Sequence, residues 1–390
     1  MKIKAKHIYI FIISFILFVG CISPYYPTVT RYEDILVVDG QLTNLAGPYK
    51  VKLSRSFTFK DKAGIPLQHA VVKIIDNTGL EVQLKGDINP TGEYSTTDTT
   101  FHGVPGKSYK LQIKIDDIIY ESAFETLKKP IPVDKFYWEF RPQSEFAQRG
   151  IQLLVDTHDS ENSTRYYMWD FDETWKFRVP IYVTNKPEWI ECYTSNPSRA
   201  FNINTSIQRH NDVIDQQPIM FINEATNRLY IRYTMLVKQY TLSEQAYKYL
   251  DEMIKSNMNQ GTLFDQIPYS LFGNMKCVTN KEIPVVGYFL VTGASEKRIF
   301  IDRSELPKEF NPTSGFEYCF LETAVVSVNL ASYRQNPKVD SLMNYGYQIF
   351  ETYDPNRRGF IGLKLARPFC FNCTLQGDNK VPSFWTEKSN

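Results

Sequence analysis

The amino-acid sequence predicts a mainly β protein, with an N-terminal Ig-like β-sandwich followed by a larger antiparallel β-rich domain that carries one inserted helix. Three observations lead there. The 390 residues include 25 Tyr and 26 Phe beside only 19 Gly, a composition weighted toward side chains that fit a pleated, half-buried surface. Short runs of alternating polarity recur along the chain between turn residues, and helical spacing is confined to one stretch. A single hydrophobic core stops growing near ~250 residues, so a chain of this length is expected to divide.

The first domain is expected over residues 35–127. Ile35 to Leu42 is a short run that ends at Gly47-Pro48, and Tyr49 to Ser54 alternates cleanly. Ala70 to Asp76 ends at Asn77-Thr78-Gly79, and Glu81 to Leu84 leads through Asn89-Pro90-Thr91-Gly92 into Glu93-Tyr94-Ser95. Tyr109 to Ile115 and Ile118 to Ser122 form a pair joined by Asp116-Asp117. About seven short strands in roughly a hundred residues is the sandwich pattern.

Leu127-Lys128-Lys129-Pro130-Ile131-Pro132 breaks strand continuity and marks the boundary to a second domain over residues 133–390. That domain opens with Phe136 to Phe140 and continues with Ile151 to Asp156, Tyr166 to Phe171, Thr174 to Val179 and Arg228 to Val237, aromatic-rich apart from Ile151 to Asp156. Thr241-Leu242-Ser243-Glu244 reads as a capping box, and Leu242, Ala246, Tyr249, Leu250, Met253 and Met258 recur at helical spacing up to Gly261. Leu263 to Pro268 is the expected exit loop. Val285 to Val291 and Lys297 to Ile301 are expected to form a hairpin about Gly293-Ala294-Ser295. The tail from Asp378 should pack on the body, since Phe384 and Trp385 would otherwise be exposed.

Residues 1–20 read as a signal peptide rather than as part of the fold. Lys2, Lys4 and Lys6 precede an apolar run from His7 to Gly20 that is short for a ~30 Å hydrocarbon core. Gly20-Cys21 resembles the lipobox of bacterial lipoproteins, in which the cysteine is lipidated and becomes the first residue. Acyl chains at Cys21 would anchor the chain firmly, at about 0.8 kcal/mol per buried methylene. Residues 21–34, which include Pro24, Tyr25, Tyr26 and Pro27, would form a tether. The whole chain carries 44 basic and 43 acidic residues, and loss of the three signal-peptide lysines leaves 41 − 43 = −2, so no net field favours nucleic acid.

Five further cysteines follow, at 192, 277, 319, 370 and 373, an odd number in a compartment that permits disulfides. Cys370 and Cys373 are the one close pair and are expected to form a local disulfide; a thioredoxin-like site would open a helix, and Arg367-Pro368-Phe369 precedes this pair. No second cysteine pair and no His/Glu spacing completes a metal site, so neither metal nor cofactor is expected. The polar clusters Asp156 to Glu161 and Asp87 to Glu93 read as turns between strands. Walker A, GxSxG and GxGxxG motifs are absent from the sequence. Tyr166, Tyr167, Trp169 and Trp175 are candidate ligand-stacking aromatics, weighed against their ordinary use in core packing.

Several segments together resemble one family. They are Leu36 to Thr43 (LVVDGQLT), Val51 to Ser56, Gly261 to Asp265 with Gly273-Asn274, Val286 to Phe289, and Cys370 to Cys373 leading to Pro382-Ser383-Phe384-Trp385. They are similar to envelope lipoproteins of the Bacteroidota that carry a domain of unknown function and are often encoded beside TonB-dependent outer-membrane receptors. The resemblance implies an outer-membrane location, a TonB-dependent receptor as partner, and no catalytic residues. A small molecule, glycan or peptide is the expected ligand class. The alternatives are an envelope hydrolase acting on glycans or peptides, whose carboxylates would meet only in the fold, and a structural adaptor in an envelope or secretion complex.

Overall fold

The structure is a computed structural model that describes residues 35–56, 64–144, 147–198, 202–258, 273–328 and 332–386. The expected signal peptide, Cys21, the tether 21–34 and the helix-exit segment 261–268 lie outside the described residues. The protein is mainly β, with large antiparallel sheets and two α-helices among the described residues.

The first block contains β1 (Leu36–Thr43), β2 (Lys50–Arg55), β3 (Ile65–Pro66), β4 (Val71–Asp76), β5 (Glu81–Gly86), β6 (Glu93–Thr96), β7 (Ser108–Ile115), β8 (Ile118–Ser122) and β9 (Glu125–Thr126). Alternation decides what they bury. Leu36, Val38, Gly40 and Leu42 of β1 turn inward together with Val51 and Leu53 of β2, Val72 and Ile74 of β4, and Leu111 and Ile113 of β7.

The second block contains β10 (Lys135–Arg141), β11 (Gly150–Asp159), β12 (Tyr166–Arg178), β13 (Glu191–Pro197), β14 (Asn202–Thr205), β15 (Asp212–Asn223) and β16 (Arg232–Thr241). Helix α1 (Glu244–Met258) follows, then β17 (Met275–Cys277) and β18 (Val285–Asp302). The last block holds β19 (Glu322–Ser327), α2 (Pro337–Asn344), β20 (Gln348–Tyr353) and β21 (Phe360–Ala366).

One sheet of fifteen strands runs β13-β12-β16-β18-β1-β2-β6-β5-β4-β7-β8-β17, with β14, β3 and β9 attached at its sides. Its continuity comes from β18. The hairpin expected about Gly293-Ala294-Ser295 is instead one 18-residue strand. Val285 to Thr292 pairs in parallel with β1, and Gly293 to Asp302 pairs antiparallel with β16. Gly293 marks the handover between neighbours rather than a turn. A Cβ there would meet the Lys128 carbonyl at 2.3 Å, so its missing side chain lets the 128–132 segment cross over the strand. Met275 and Cys277 of β17 and Val285, Phe289 and Val291 of β18 complete the core of the first block.

β12, β16 and β18 present one face to a second sheet, β10-β11-β15, burying Ile151, Leu153, Val155, Tyr167, Trp169, Tyr233, Met235 and Val237 between them. Their other face carries α1, whose Ala246 and Leu250 pack on Met168, Tyr240, Tyr288 and Leu290. The expected capping box is displaced by two residues. Thr241 stays in β16 and donates to the Lys129 and Gly293 carbonyls, while the Ser243 hydroxyl caps the helix by accepting the Ala246 N–H at 3.1 Å. The third sheet, β19-β21-β20, packs Ala324, Val326, Leu363 and Leu365 against Val339 of α2. The tail reaches the body as expected, with Trp385 edge-on to both Tyr193 and Phe300.

Gly287 has φ +128, and a Cβ there would sit 1.9 Å from the Val38 carbonyl oxygen. Gly287→Ala should therefore cost about 3 kcal/mol or more of stability in urea unfolding, whereas Gly79→Ala, at φ +92 with open space around it, should cost only about 1 kcal/mol. Equal midpoints for the two variants would contradict the close approach of β1 and β18.

Candidate functional site

The candidate stacking aromatics do not share a surface. Tyr167 and Trp169 are 0% exposed, with ring centroids 5.8 Å apart and planes at 20°. The Tyr167 hydroxyl donates to Asp212 at 2.5 Å, and the Trp169 indole N–H donates to Gln239 at 2.9 Å. This corrects the platform reading. Strand alternation turns both rings into the space between the sheets, where they are core. Tyr166 faces the other way and lies 5.1 Å from Tyr247 of α1. Trp175 lies further along the strand beneath the Arg228 guanidinium, 5.2 Å from the ring centroid.

The expected Cys370–Cys373 disulfide is also corrected. Cys373 bonds Cys192, and Cys370 bonds Cys319, with Cα separations of 5.6 and 5.5 Å. Each cysteine sits at one end of its own short 3-10 turn, Pro368–Cys370 and Cys373–Leu375. The successive turns send the two side chains into different apolar clusters. Cys373 joins Phe177, Val179 and Phe316, and Cys370 joins Val183, Ala366 and Phe371. Cys277 is free and buried in the first core.

The polar clusters close as turns. Asp159 accepts the N–H groups of Glu161, Ser163 and Thr164, and Asp87 accepts from Asn89 and Thr91. Among the described residues, no group of three or more His, Cys, Asp or Glu is placed to hold a metal ion, and no helix is long and apolar enough to cross a membrane.

Two other polar arrangements are unusual. The first lies at the N-terminal end of α1. Asn274 clamps the Phe289 main chain, donating to its carbonyl at 3.0 Å and accepting its N–H at 2.9 Å. A Cβ on Gly273 would meet the Gly287 carbonyl at 1.7 Å. Beside this clamp the Tyr288 hydroxyl donates to Glu125, a carboxyl only 7% exposed whose second oxygen is within hydrogen-bonding geometry of no group among the described residues. Burial pushes Glu125 above the usual carboxylate range, against the lowering effect of the Tyr288 bond. Three of the segments that carry the family resemblance, in β1, at Gly273-Asn274 and at Val286 to Phe289, meet at this junction. Sequence reading missed Glu125 because its partner Tyr288 lies 163 positions away.

The second arrangement is a polar strip on the face of β12, β16 and β18 that is not packed on the second sheet. Asp170 and Asp172 stand beside Lys238 and Tyr240, with Glu296 and Arg298 in register on β18. Tyr240 donates to Asp170 at 3.0 Å, and Lys238 pairs with Asp172 at 2.7 Å. Burial raises Asp170 above the usual carboxylate range, while the Lys238 charge and the Tyr240 hydroxyl lower it. The strip is bounded by α1 on one side and on the other by Phe384, over which the Arg298 guanidinium stacks at 4.0 Å. It offers a protonatable carboxyl next to a lysine–aspartate pair, able to donate and accept hydrogen bonds toward a polar ligand.

Residues 22–298 match the family model of DUF4249, a domain of unknown function, and the chain belongs to that family. No curated protein matches. Among solved structures, a DUF4785 family protein from Legionella pneumophila is 8% identical at a TM-score of 0.18, covering 53% of this chain and 52% of its own, about half of each.

Two measurements check these assignments. Mass spectrometry of a non-reducing digest should recover 192–373 and 319–370 linkages, and a 370–373 loop would refute them. The chain separations of 181 and 51 residues place the stabilisation at about 5 and about 4 kcal/mol in the loop-entropy picture, so Cys192→Ser, Cys373→Ser and their double variant should be equally destabilised. The second concerns Glu125. An acid raised above its ordinary 4.5 binds its proton more tightly when folded, so its contribution is complete below that pH and is lost as pH rises through the folded pKa. Glu125→Gln should therefore gain stability relative to the parent chain as pH rises above the ordinary 4.5 in thermal melts.

Proposed function

We propose that this member of the DUF4249 family is a lipid-anchored envelope protein and an accessory subunit of a TonB-dependent outer-membrane receptor, assisting nutrient capture or uptake. The observation that carries the envelope location is the agreement of two independent features. A basic and then apolar N-terminal segment stops at Cys21, and four of the five later cysteines lie within bonding distance as two long-range disulfides. Disulfides of that kind persist in oxidising compartments, which is where the N-terminal segment would send the chain. The receptor partner rests on the resemblance of the β1, Gly273-Asn274 and β18 segments to lipoproteins encoded beside such receptors. The anchor would sit at the outer membrane, and a small molecule, glycan or peptide would be the cargo.

A second reading has one observation in its favour. Asp170 and Asp172 stand two positions apart on one strand face, about 7 Å between Cα atoms, in different surroundings. Asp170 is raised by burial and Asp172 is ion-paired with Lys238. Two carboxyls held apart in environment are what glycan hydrolysis requires.

Purification of the tagged full chain from detergent-solubilised envelopes separates the readings. The expected result is a TonB-dependent receptor recovered in near-stoichiometric amount, with Cys21→Ser abolishing incorporation of labelled palmitate and releasing the protein from membranes. Recovery of the chain alone, together with glycan or peptide hydrolysis lost in Asp170→Asn, would replace this reading with the hydrolase.

A further inference from the structure

Four cysteines meet where the tail joins the body, and their placement sets the order in which they can be attacked. Cys192, Cys370 and Cys373 are 0% exposed, whereas Cys319 is partly exposed. The two disulfides lie in adjoining apolar clusters. Cys192 and Cys373 belong to one and Cys370 to the other, while Cys319 and Phe369 pack against both. Exchange requires a thiolate to reach one sulfur of a disulfide, so access decides which bond opens first. Cys319–Cys370 can be reached at Cys319, but Cys192–Cys373 presents neither cysteine at the surface.

The surroundings of Cys319 give the attacking group its class. The Cys319 N–H donates to the Phe316 carbonyl at 3.0 Å, in an irregular stretch just ahead of β19. Tyr318, Phe320 and Leu321 beside it are 78%, 57% and 51% exposed. Large apolar side chains on both sides of a reachable disulfide fit a protein surface that takes an extended segment, rather than a small hydrophilic thiol. Once opened, Cys370 has a second partner at hand. Cys373 is three positions on, at the start of the next 3-10 turn, the shortest separation of any pair among the five cysteines after Cys21.

We propose that Cys319–Cys370 is a site of thiol–disulfide exchange for a protein dithiol of the Cys-x-x-Cys type, and that Cys370 relays the exchange to Cys373. The incoming thiolate attacks the Cys319 sulfur, forms a mixed disulfide and expels Cys370 as a thiolate. The second thiol of the protein dithiol then attacks the mixed disulfide, leaves as an internal disulfide and returns Cys319 as a thiol. Cys370 attacks the Cys373 sulfur, and Cys192 is expelled and protonated. Both long-range bonds break, one bond forms between Cys370 and Cys373, two electrons pass from the dithiol to this chain, and its two protons end on Cys192 and Cys319. The tail then holds only its own small loop, and β13 and the stretch before β19 lose their covalent ties. The sheet β19-β21-β20, with its thin core, would open more readily. The inference goes beyond the receptor reading.

The test treats the oxidised full chain with one equivalent of a reduced thioredoxin-type dithiol protein, quenches in acid, and alkylates under denaturing conditions before digestion and mass spectrometry. Cys277, free from the start, is alkylated in every sample and serves as the standard. The expected pattern is label at Cys192 and Cys319 with a 370–373 linkage, together with faster hydrogen exchange in β19 and β21. Label at Cys319 and Cys370 with 192–373 intact overturns the relay, and label at Cys277 alone overturns the exchange site. The double variant Cys319→Ser/Cys370→Ser should keep its 192–373 bond oxidised in native buffer under the same treatment, and reduction at the parent's rate overturns the relay. Should that variant fail to fold, the labelling pattern of the parent chain decides. Tyr318→Ser/Phe320→Ser leaves both disulfides in place and should slow the protein dithiol about tenfold, as expected when burial of an apolar side chain is lost, with the dithiothreitol rate unchanged. The same effect with both reductants, or none with either, removes the protein dithiol as the partner. The exchange assay needs neither anchor nor receptor, so its failure leaves the receptor reading to its own test.

Discussion

The parallel ladder between β1 and β18 is the constraint on which the rest of the structure depends. It joins Leu36–Thr43 to Val285–Thr292, so the first strand, whose other side pairs at once with β2, waits almost 250 residues for its second neighbour. A parallel pair requires a long crossover, and here the crossover consists of β2 through β17 with α1. Closing so large a loop costs conformational entropy before any contact repays it, and contacts of this separation form slowly. The ladder also sets the local chemistry. Gly40 must lack a side chain, because a Cβ there would lie 2.9 Å from Val51 and 3.3 Å from Phe289, and Asn274 must hold the Phe289 main chain where β18 passes β17.

How much of this was legible in the sequence follows from the range of each interaction. Period-two runs such as Tyr109 to Ile115 and the helical spacing after Leu242 are local, and both became the elements expected. Neighbour choice is not local. Gly293 reads as a turn because glycine in a strand usually marks a break, yet it marks the point where β18 exchanges β1 for β16. Tyr167 and Trp169 carry no sign of their destination, since an aromatic residue alternates equally well on a ligand-binding face and on a core face. Only the partners Asp212 and Gln239, 45 and 70 positions away, show that they are core. Glu125 was beyond reach for the same reason, as nothing near it in sequence shows that it will be buried against Tyr288.

The cysteines extend the same lesson to covalent structure. Spacing within Cys370-Phe371-Asn372-Cys373 suggests a local bond, but two successive short turns separate the side chains. Each therefore ties the tail to a distant segment, to β13 through Cys192 and to the loop before β19 through Cys319. The need for such ties is physical. The sheet β19-β21-β20 with α2 has a core of five buried residues, too thin to be stable alone in water.

A thin sheet held by distant disulfides can keep a small core that a free-standing one could not. Here position is held from outside the sheet, by Cys319–Cys370 just ahead of β19 and just beyond β21, and by the hydrogen bond from Thr184 to Glu351 across the opposite edge strand. The stability that the module lacks within itself is thus supplied by the rest of the chain. In the same way, β18 holds the two larger cores together by pairing with β1 along Val285 to Thr292 and with β16 along Gly293 to Asp302. The fold in this way joins its larger cores through one strand and its last sheet through disulfides.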